Sequence, residues 1–187
     1  MVLGLEVVLK VGLAALRDGF LNGCNPFLGF DGCHLKGPYG GVLLSAVGLD
    51  GHNGLYPVAF AIVETENKES WVFFFHNLLI LLGGFNDGRP WTFVTDRQKG
   101  LVDAINVTVP NAINRKCARH ICANFRSRFS GGPLKKWFWV ASRSYTAAGF
   151  NFAMYKIKEL SPNAYKWLLD IPCELWSRHA FDRRVKS

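Results

Sequence analysis

Three strand-length apolar segments follow one another closely near the start of the chain, at about residues 27–35, 41–50 and 56–64. They are rich in aromatic and β-branched residues, which is typical of strands inside a sheet. The connections between them, Gly37–Gly41 and Asp50–Gly54, are short and dense in turn-forming residues. Such short connections join antiparallel neighbours. Because the second and third segments are apolar on both faces, we expect helices on both sides of the sheet.

The elements that follow reduce the number of possible folds. The spacing predicts a helix over Ser70–Leu82 that ends at Gly83-Gly84, then a strand over 91–95, a helix from about Gln98 to Asn106 and an extended piece near Ala112–Asn114. The order is therefore β-β-β-α-β-α-β. We predict an α/β fold with a ribonuclease H-like mixed sheet, in which a three-strand antiparallel meander precedes alternating helices and strands.

The rest of the chain has helical periodicity. Cys117–Arg128 is predicted to form a basic helix, and Leu134–Ser142 forms another after the break at Gly131-Gly132-Pro133. Apolar residues between 150 and 160 recur at helical spacing, and one more short helix is expected at 164–169. We predict three segments: an N-terminal helical lead-in at 1–25, the ribonuclease H-like core at 26–116, and a basic helical region at 117–187.

Two aspartates follow apolar runs of this core. Asp31 comes after Pro26–Phe30, and Asp96 comes after Trp91–Thr95. An acid placed directly after a strand is carried to the rim of the sheet. Two such acids on neighbouring strands could share divalent cations, the arrangement that two-metal phosphoryl transfer needs. The alternative is that each aspartate only opens a turn, since Asp31-Gly32 is turn chemistry.

Composition indicates a globular chain. Of its 187 residues 49% are hydrophobic and 19% are charged, so it can bury a sizeable core. The five cysteines are odd in number and scattered, which favours free thiols in a reducing compartment. The longest apolar stretch, Val72–Leu82, is too short to span a bilayer. We expect a soluble chain without a membrane partner.

Charge is unevenly distributed along the chain. Residues 1–114 hold 7 Lys/Arg and 10 Asp/Glu, a net −3, whereas residues 115–187 hold 15 Lys/Arg and 4 Asp/Glu, a net +11. A basic half beside an acidic half suggests a polyanion held next to a metal site. The alternative is that lysine and arginine only solvate helix faces.

Asp31–Gly37 is followed by Tyr39–Gly41 and Ala46–Gly48, and this run resembles the start of the catalytic domain of plant Mutator-like (MULE) transposases. The resemblance extends over about residues 14–181. Thr95–Leu101 looks like the second-acid motif of the family. Cys117-Ala118-Arg119-His120 is similar to its C-x-x-H signature, and 163–178 looks like the region that follows it.

This resemblance implies a DDE-type core that cleaves and rejoins DNA strands with Mg²⁺ or Mn²⁺. Asp31 and Asp96 are implied to be the first and second metal-binding acids, and His120 is implied to lie beside them. The third acid of the family is a Glu that follows a helical insertion, so we expect the chain to be a core fragment that lacks it. Glu159 and Glu174 are possible substitutes. Transposon ends and target DNA, possible homo-oligomerisation and a nuclear location are also implied.

Cys117 and His120 are open to several interpretations. At i and i+3 of a helix they face the same way and could form half of a zinc site, although two further ligands at a suitable spacing are missing. A structural alternative is a buried cysteine and a hydrogen-bonded histidine. A cysteine nucleophile is not expected, because no base is paired with Cys117.

Basic residues near the second acid and after it are candidate DNA contacts, with helix solvation as the alternative. The candidates are Arg97, Lys99, Arg115, Lys116, Arg119, Arg126 and Arg128. Lys135 and Lys136, with Phe125, Phe129, Trp137 and Trp139, continue an interleaving of charges and aromatic rings that suits a nucleic-acid strand. The core is the more common place for such rings.

Two functional hypotheses remain from the sequence. The first is a metal-dependent strand-transfer core that is weak or inactive alone. The second is a non-catalytic DNA-binding or dimerising protein derived from such a core. The expected absence of the third acid favours the second, and the presence of Asp31 and Asp96 favours the first as its origin.

Overall fold

A computed structural model describes residues 7–52, 54–85, 88, 91–96 and 98–181, with backbone only at 7–11 and 99. The chain divides into two compact units, Met1–Asn114 and Arg115–Ser187. In chain order the elements are β1 (Val7–Val11), α1 (Ala14–Gly23), β2 (Cys24–His34), β3 (Val42–Asp50), β4 (Leu55–Val63), α2 (Lys68–Leu82), β5 (Thr92–Thr95), α3 (Lys99–Thr108), β6 (Ile113–Lys116), α4 (Ala118–Arg128), α5 (Gly132–Arg143), α6 (Ala147–Leu160), α7 (Pro162–Leu169) and a 3-10 turn (Cys173–Leu175).

The strands form one mixed sheet in the order β1-β4-β3-β2-β5-β6. β2, β3 and β4 are an antiparallel meander, and β5 runs parallel to β2. The prediction of a mixed α/β fold is confirmed. The structure adds β1, which pairs antiparallel with β4, to the lead-in that was expected to be helical. β1 is an apolar five-residue strand, and such short runs give a weak sequence signal.

The core of the first unit is a cluster of aromatic rings on one face of the sheet. Phe30 contacts Phe75 of α2 and Phe93 of β5, with ring centroids 4.9 Å apart in both cases. α1 packs on the same face, because Phe20 lies against Gly48 of β3. α3 packs beside α2. Among the described residues of this unit the helices therefore cover one face, and the expectation of helices on both faces is wrong there.

The opposite face of the sheet is only half-covered. Along β3 the buried residues Val42, Leu44 and Ala46 alternate with the half-buried Leu43 and Ser45. Alternation of this kind places the half-buried side chains on the face away from Phe30. That face also carries Asp31.

Local capping explains where α2 begins and ends. The Asn67 side chain accepts a hydrogen bond from the Ser70 amide at 2.8 Å, which satisfies one free donor at the helix start. The helix ends at Gly83, whose φ of 76° is left-handed and favours glycine. The predicted helix over Ser70–Leu82 is thus extended by two residues at its start.

The second unit is helical and has its own core. Phe125 of α4 and Trp176 both stack on Phe138 of α5, with ring centroids 5.6 and 5.2 Å apart. α5 and α6 pack against each other as consecutive helices joined by a short connection. Thr146 caps α6 by accepting from the Gly149 amide at 3.1 Å. None of the helices in the described part of the chain is long and apolar enough to cross a membrane.

Candidate functional site

Asp31 lies inside β2, not beyond its end. The strand continues to His34, so the expectation that Asp31 terminates a strand is wrong. Asp31 is exposed, and it alternates with the buried Phe30, so its carboxylate lies on the face of the sheet away from the aromatic core. Its carbonyl oxygen accepts a hydrogen bond from Ser45 Oγ at 3.2 Å. The site is therefore built on a central strand, which is a rigid support.

Asp96 follows β5 directly, as predicted. Its Oδ1 accepts a hydrogen bond from the Gln98 amide at 2.9 Å, which forms a turn that leads into α3. The Gln98 side chain then accepts from the Leu101 amide at 2.6 Å and caps that helix. Asp96 is half-buried. The turn uses only Oδ1 of Asp96, so Oδ2 can accept a further ligand.

The strand register relates the two aspartates. Phe27, Leu28 and Gly29 of β2 pair with Thr92, Phe93 and Val94 of β5 in parallel register. The last printed pair is Gly29–Val94, and the same offset counted on by two residues matches Asp31 to Asp96, which lies just past the end of β5. Parallel neighbours lie roughly 5 Å apart, and residues at the same register position share a face. Asp31 on β2 and Asp96 directly after β5 are therefore counterparts in this extended register.

A third metal ligand is not assembled in the described residues. No group of three or more His, Cys, Asp or Glu side chains there is positioned to hold a metal ion. Glu159 forms an ion pair with Lys156 at 2.7 Å, and this contact lowers its pKa. Glu174 Oε1 lies 3.4 Å from Cys173 Sγ. Neither substitute suggested by the sequence is part of a metal-binding group.

Glu66 is an acid that the sequence analysis did not select. A Cβ placed on Gly32 would lie 2.7 Å from either carboxylate oxygen of Glu66, so this carboxylate sits against the residue next to Asp31. Its Oε1 accepts a hydrogen bond from Trp71 Nε1 at 3.1 Å. Because Gly32 and Asp31 face opposite sides of the strand, Glu66 approaches from the α2 side of the sheet. Glu66 and Gly32 are brought together only by the β2–β4 meander and the start of α2, so no spacing in the sequence predicts their contact.

Cys117 and His120 belong to the start of α4. Cys117 is the N-cap position and is half-buried, so it precedes the helix instead of lying within it. His120 Nδ1 is buried and has no hydrogen-bond partner among the residues that the structure describes. The hydrogen-bonded histidine of the structural alternative is therefore not present at that atom. The described residues give this pair no further zinc ligands.

Arg115 has a structural role in place of the predicted DNA contact. It is buried, and its guanidinium donates to the carbonyl oxygens of Glu174 and Ser177, both at 3.0 Å. The same group lies 4.1 Å from the centroid of the Phe181 ring. Burial lowers the Arg115 pKa to about 10, so the group remains charged at neutral pH. Arg115, the first residue of the second unit, therefore holds residues 174–181 of that unit in place.

The other predicted DNA contacts differ in their exposure to solvent. Arg119, Arg126 and Arg128 are exposed on α4, as a phosphate-binding surface requires. Lys116 is half-buried. Arg97 and the side chain of Lys99 lie outside the described residues. The aromatic rings predicted to interleave with these charges, Phe125, Phe129, Trp137 and Trp139, belong to or pack against the core of the second unit.

A sequence profile of the MULE transposase domain matches residues 27–124, which is more than half of the chain. The chain belongs to the MULE transposase family. The match begins inside β2 and ends inside α4, so it includes Asp31, Asp96, Cys117 and His120. Helices α5 to α7 of this MULE protein lie outside it.

Other comparisons add little to this MULE assignment. No curated protein matches the sequence. Among solved structures, a chain from a cryo-EM structure of the simian T-cell lymphotropic virus intasome in complex with PP2A regulatory subunit B56 gamma is similar at 14% identity. The alignment covers 85% of this chain and 57% of that chain, with a TM-score of 0.32. The MULE protein thus spans little more than half the length of that neighbour, and similarity at this level does not establish a common fold.

Proposed function

We propose that this chain is the core of a DDE-type transposase with a ribonuclease H-like fold, which cleaves and transfers DNA strands with Mg²⁺ or Mn²⁺. The observation that carries the proposal is the β2–β5 register, because its offset, extended by two residues beyond the Gly29–Val94 pair, would bring Asp31 and Asp96 next to each other. The MULE match over 27–124 supports it, since both acids lie inside the matched region.

The residues present fit a hard divalent cation in part. Asp31 is exposed on β2, and Asp96 has one carboxylate oxygen outside the turn that follows β5, so carboxylate oxygens of the kind such ions prefer are available at both positions. When bound, the metal supplies charge stabilisation and an activated oxygen nucleophile for phosphodiester cleavage. Asp31 and Asp96 would hold it, and their strand and turn supports keep both carboxylates in place without the cost of reorganisation.

Weak activity of this chain on its own is part of the proposal. Two carboxylates leave most of the coordination sphere to water and phosphate, and the described residues assemble no group of three ligands. Cleavage should therefore be slow or undetectable with either metal. We further propose that His120 contacts DNA or orients water, because its Nδ1 lacks a protein partner.

Strand cleavage of supercoiled plasmid tests the catalytic proposal. We expect little or no nicking by the purified chain, and more when a polypeptide that carries the Glu-containing segment of the family is supplied fused or in trans. Asp31→Asn and Asp96→Asn should abolish that gain, whereas Asp103→Asn, a carboxylate on α3, should not. Robust nicking by the chain alone, lost in Asp96→Asn, would show that another acid completes the site, with Glu66, Glu159 and Glu174 the first to test.

A second candidate is a non-catalytic DNA-binding or dimerising protein that acts in the nucleus. The net charge of +11 over residues 115–187 favours it, since this charge attracts phosphates with or without a metal site. Binding should be sequence-tolerant and should weaken steeply with salt. Gel shifts that persist unchanged from 50 to about 200 mM salt would contradict both candidates, because phosphate contacts release counterions.

A further inference from the structure

A row of aromatic rings and cations lies on the surface of the second unit, across α5 and α6. Lys136 Nζ is 5.7 Å from the Trp137 ring, and Trp137 meets Phe152 edge to face at 5.7 Å. Lys156 Nζ lies 5.8 Å from the Phe152 ring and 5.7 Å from the Tyr155 ring. We call these five residues, Lys136, Trp137, Phe152, Tyr155 and Lys156, the α5–α6 aromatic face.

The rings of this face are unusually exposed for their size. Phe152 and Tyr155 are each 54% exposed, although large aromatic side chains normally contribute to a core. They are three residues apart on α6, so they lie side by side on the helix surface. Lys156 lies over both rings, and the exposed half of each residue is what a flat partner could stack on.

The adjacent surface of α5 repeats the same combination. The Arg143 guanidinium lies 4.8 Å from the Trp139 ring, and an open cleft of about 490 Å³ is lined by Lys136, Trp139, Val140, Arg143 and Ser144. Lys136 belongs to both the cleft and the α5–α6 aromatic face. The stacking surface and the cleft are thus continuous through this lysine.

Charge identifies the class of partner. Residues 115–181 hold 12 Lys/Arg and 3 Asp/Glu, so this unit is strongly positive. Glu159, a carboxylate beside the aromatic face, is neutralised by Lys156 at 2.7 Å. A purely apolar protein partner would leave Lys136 and Arg143 without counter-charges. A chain of phosphates would supply them.

We propose that the α5–α6 aromatic face binds single-stranded DNA, with unpaired bases stacked on Phe152 and Tyr155 and phosphates held by Lys136 and Arg143. Bases in a duplex are already stacked on each other, whereas an unpaired base has a free face for an aromatic side chain. Strand exchange exposes such unpaired segments. The inference deepens the proposed DNA function by naming the form of DNA bound, and it does not depend on the metal site.

Fluorescence anisotropy with the full chain tests this directly. The probes are a labelled oligo(dT) 20-mer, an abasic strand of the same length and a 20-bp duplex. We expect the double variant Phe152→Leu/Tyr155→Leu, which keeps apolar bulk and removes the rings, to bind oligo(dT) about 10- to 100-fold more weakly. Duplex and abasic-strand affinities should change by less than about two-fold, because their contacts are ionic.

Three controls keep the test decisive. Tyr155→Phe retains the ring and should bind oligo(dT) like the wild type. Tyr39→Leu removes an aromatic ring that is 99% exposed in the other unit and should have no effect. Far-UV circular dichroism should be unchanged, since leucine is a strong helix former at these exposed positions.

The possible outcomes separate this inference from the proposed function. Equal loss of single-strand and duplex binding, or no loss of either, overturns the inference while salt-dependent DNA binding survives. A change in oligomeric state without a change in oligo(dT) affinity identifies the face as a contact between copies and also overturns it. If the wild-type chain binds no DNA in any form, both proposals fail.

Discussion

Removal of the Arg115 guanidinium should destabilise the second unit. Its two hydrogen bonds are charge-assisted and contribute about 1.5–3 kcal/mol each, and the Phe181 contact adds about 1 kcal/mol. Burial of the charged group, which lowers the Arg115 pKa to about 10, opposes part of this stabilisation. Arg115→Met keeps the apolar stem and loses the rest, so we expect a net loss of about 2–3 kcal/mol.

Hydrogen exchange followed by mass spectrometry measures this loss unit by unit. A single unfolding transition cannot be assumed for a chain with two compact units. In Arg115→Met, amides of α5 and α6 should exchange about 30- to 150-fold faster, whereas amides of α2 should be unaffected. Arg115→Lys should fall near the Met variant, because an ammonium cannot bridge two carbonyls with the planar fork of a guanidinium.

A specific pair of results would refute the structural role of Arg115. If exchange in α5 and α6 is unchanged and DNA binding is weakened with a shallower salt dependence, Arg115 is a phosphate contact, as the sequence first suggested. The two buried carbonyls would then have other partners in solution.

Three further predictions follow from local geometry. Gly48→Ala should lower the free energy of unfolding by about 1–3 kcal/mol in urea denaturation, because the new Cβ would lie 2.5 Å from a ring carbon of Phe20. Gly29→Ala, whose new Cβ would have its nearest atom at 3.7 Å, should lower it less. Asn67→Ala should cost about 1 kcal/mol by loss of the α2 cap, seen as faster exchange in the first turn. Burial lowers the pKa of His179, so the unfolded state binds a proton more readily than the folded state. The free energy of unfolding should therefore be highest above the ordinary histidine pKa and should fall as the pH drops below it. His179→Asn should flatten this dependence in urea titrations at several pH values.

The class of fold was accessible from sequence because its signals are local. Short turn-rich connections predict antiparallel strands, and helical spacing with a Gly83-Gly84 stop predicts α2, whose end the structure reproduces. β1 was not predicted, since a five-residue strand at the sheet edge depends on its pairing with β4. Helix cover on both faces was not found among the described residues of the first unit, because half-buried apolar residues such as Leu43 give the same sequence pattern as fully covered ones.

The candidate site was predictable in its acids but not in its surroundings. Asp31 and Asp96 stand out because each follows an apolar run, yet only the strand pairing shows that the strands before them, β2 and β5, are parallel neighbours. The position of Glu66 against Gly32 and the burial of Arg115 depend on contacts between residues that are distant in sequence. Charge alone cannot separate a buried arginine from one that binds phosphate.

The central claim is that Asp31 and Asp96 together hold a divalent cation. Titration of Mn²⁺ into the chain, with free Mn²⁺ measured by electron paramagnetic resonance, tests it most directly because no catalysis is required. We predict weak, saturable binding that Asp31→Asn and Asp96→Asn each weaken by about ten-fold or more, since each removes one of the two carboxylate charges, while Asp103→Asn leaves it unchanged. Binding that is the same in the wild type and in the Asp31→Asn/Asp96→Asn double variant would contradict the claim.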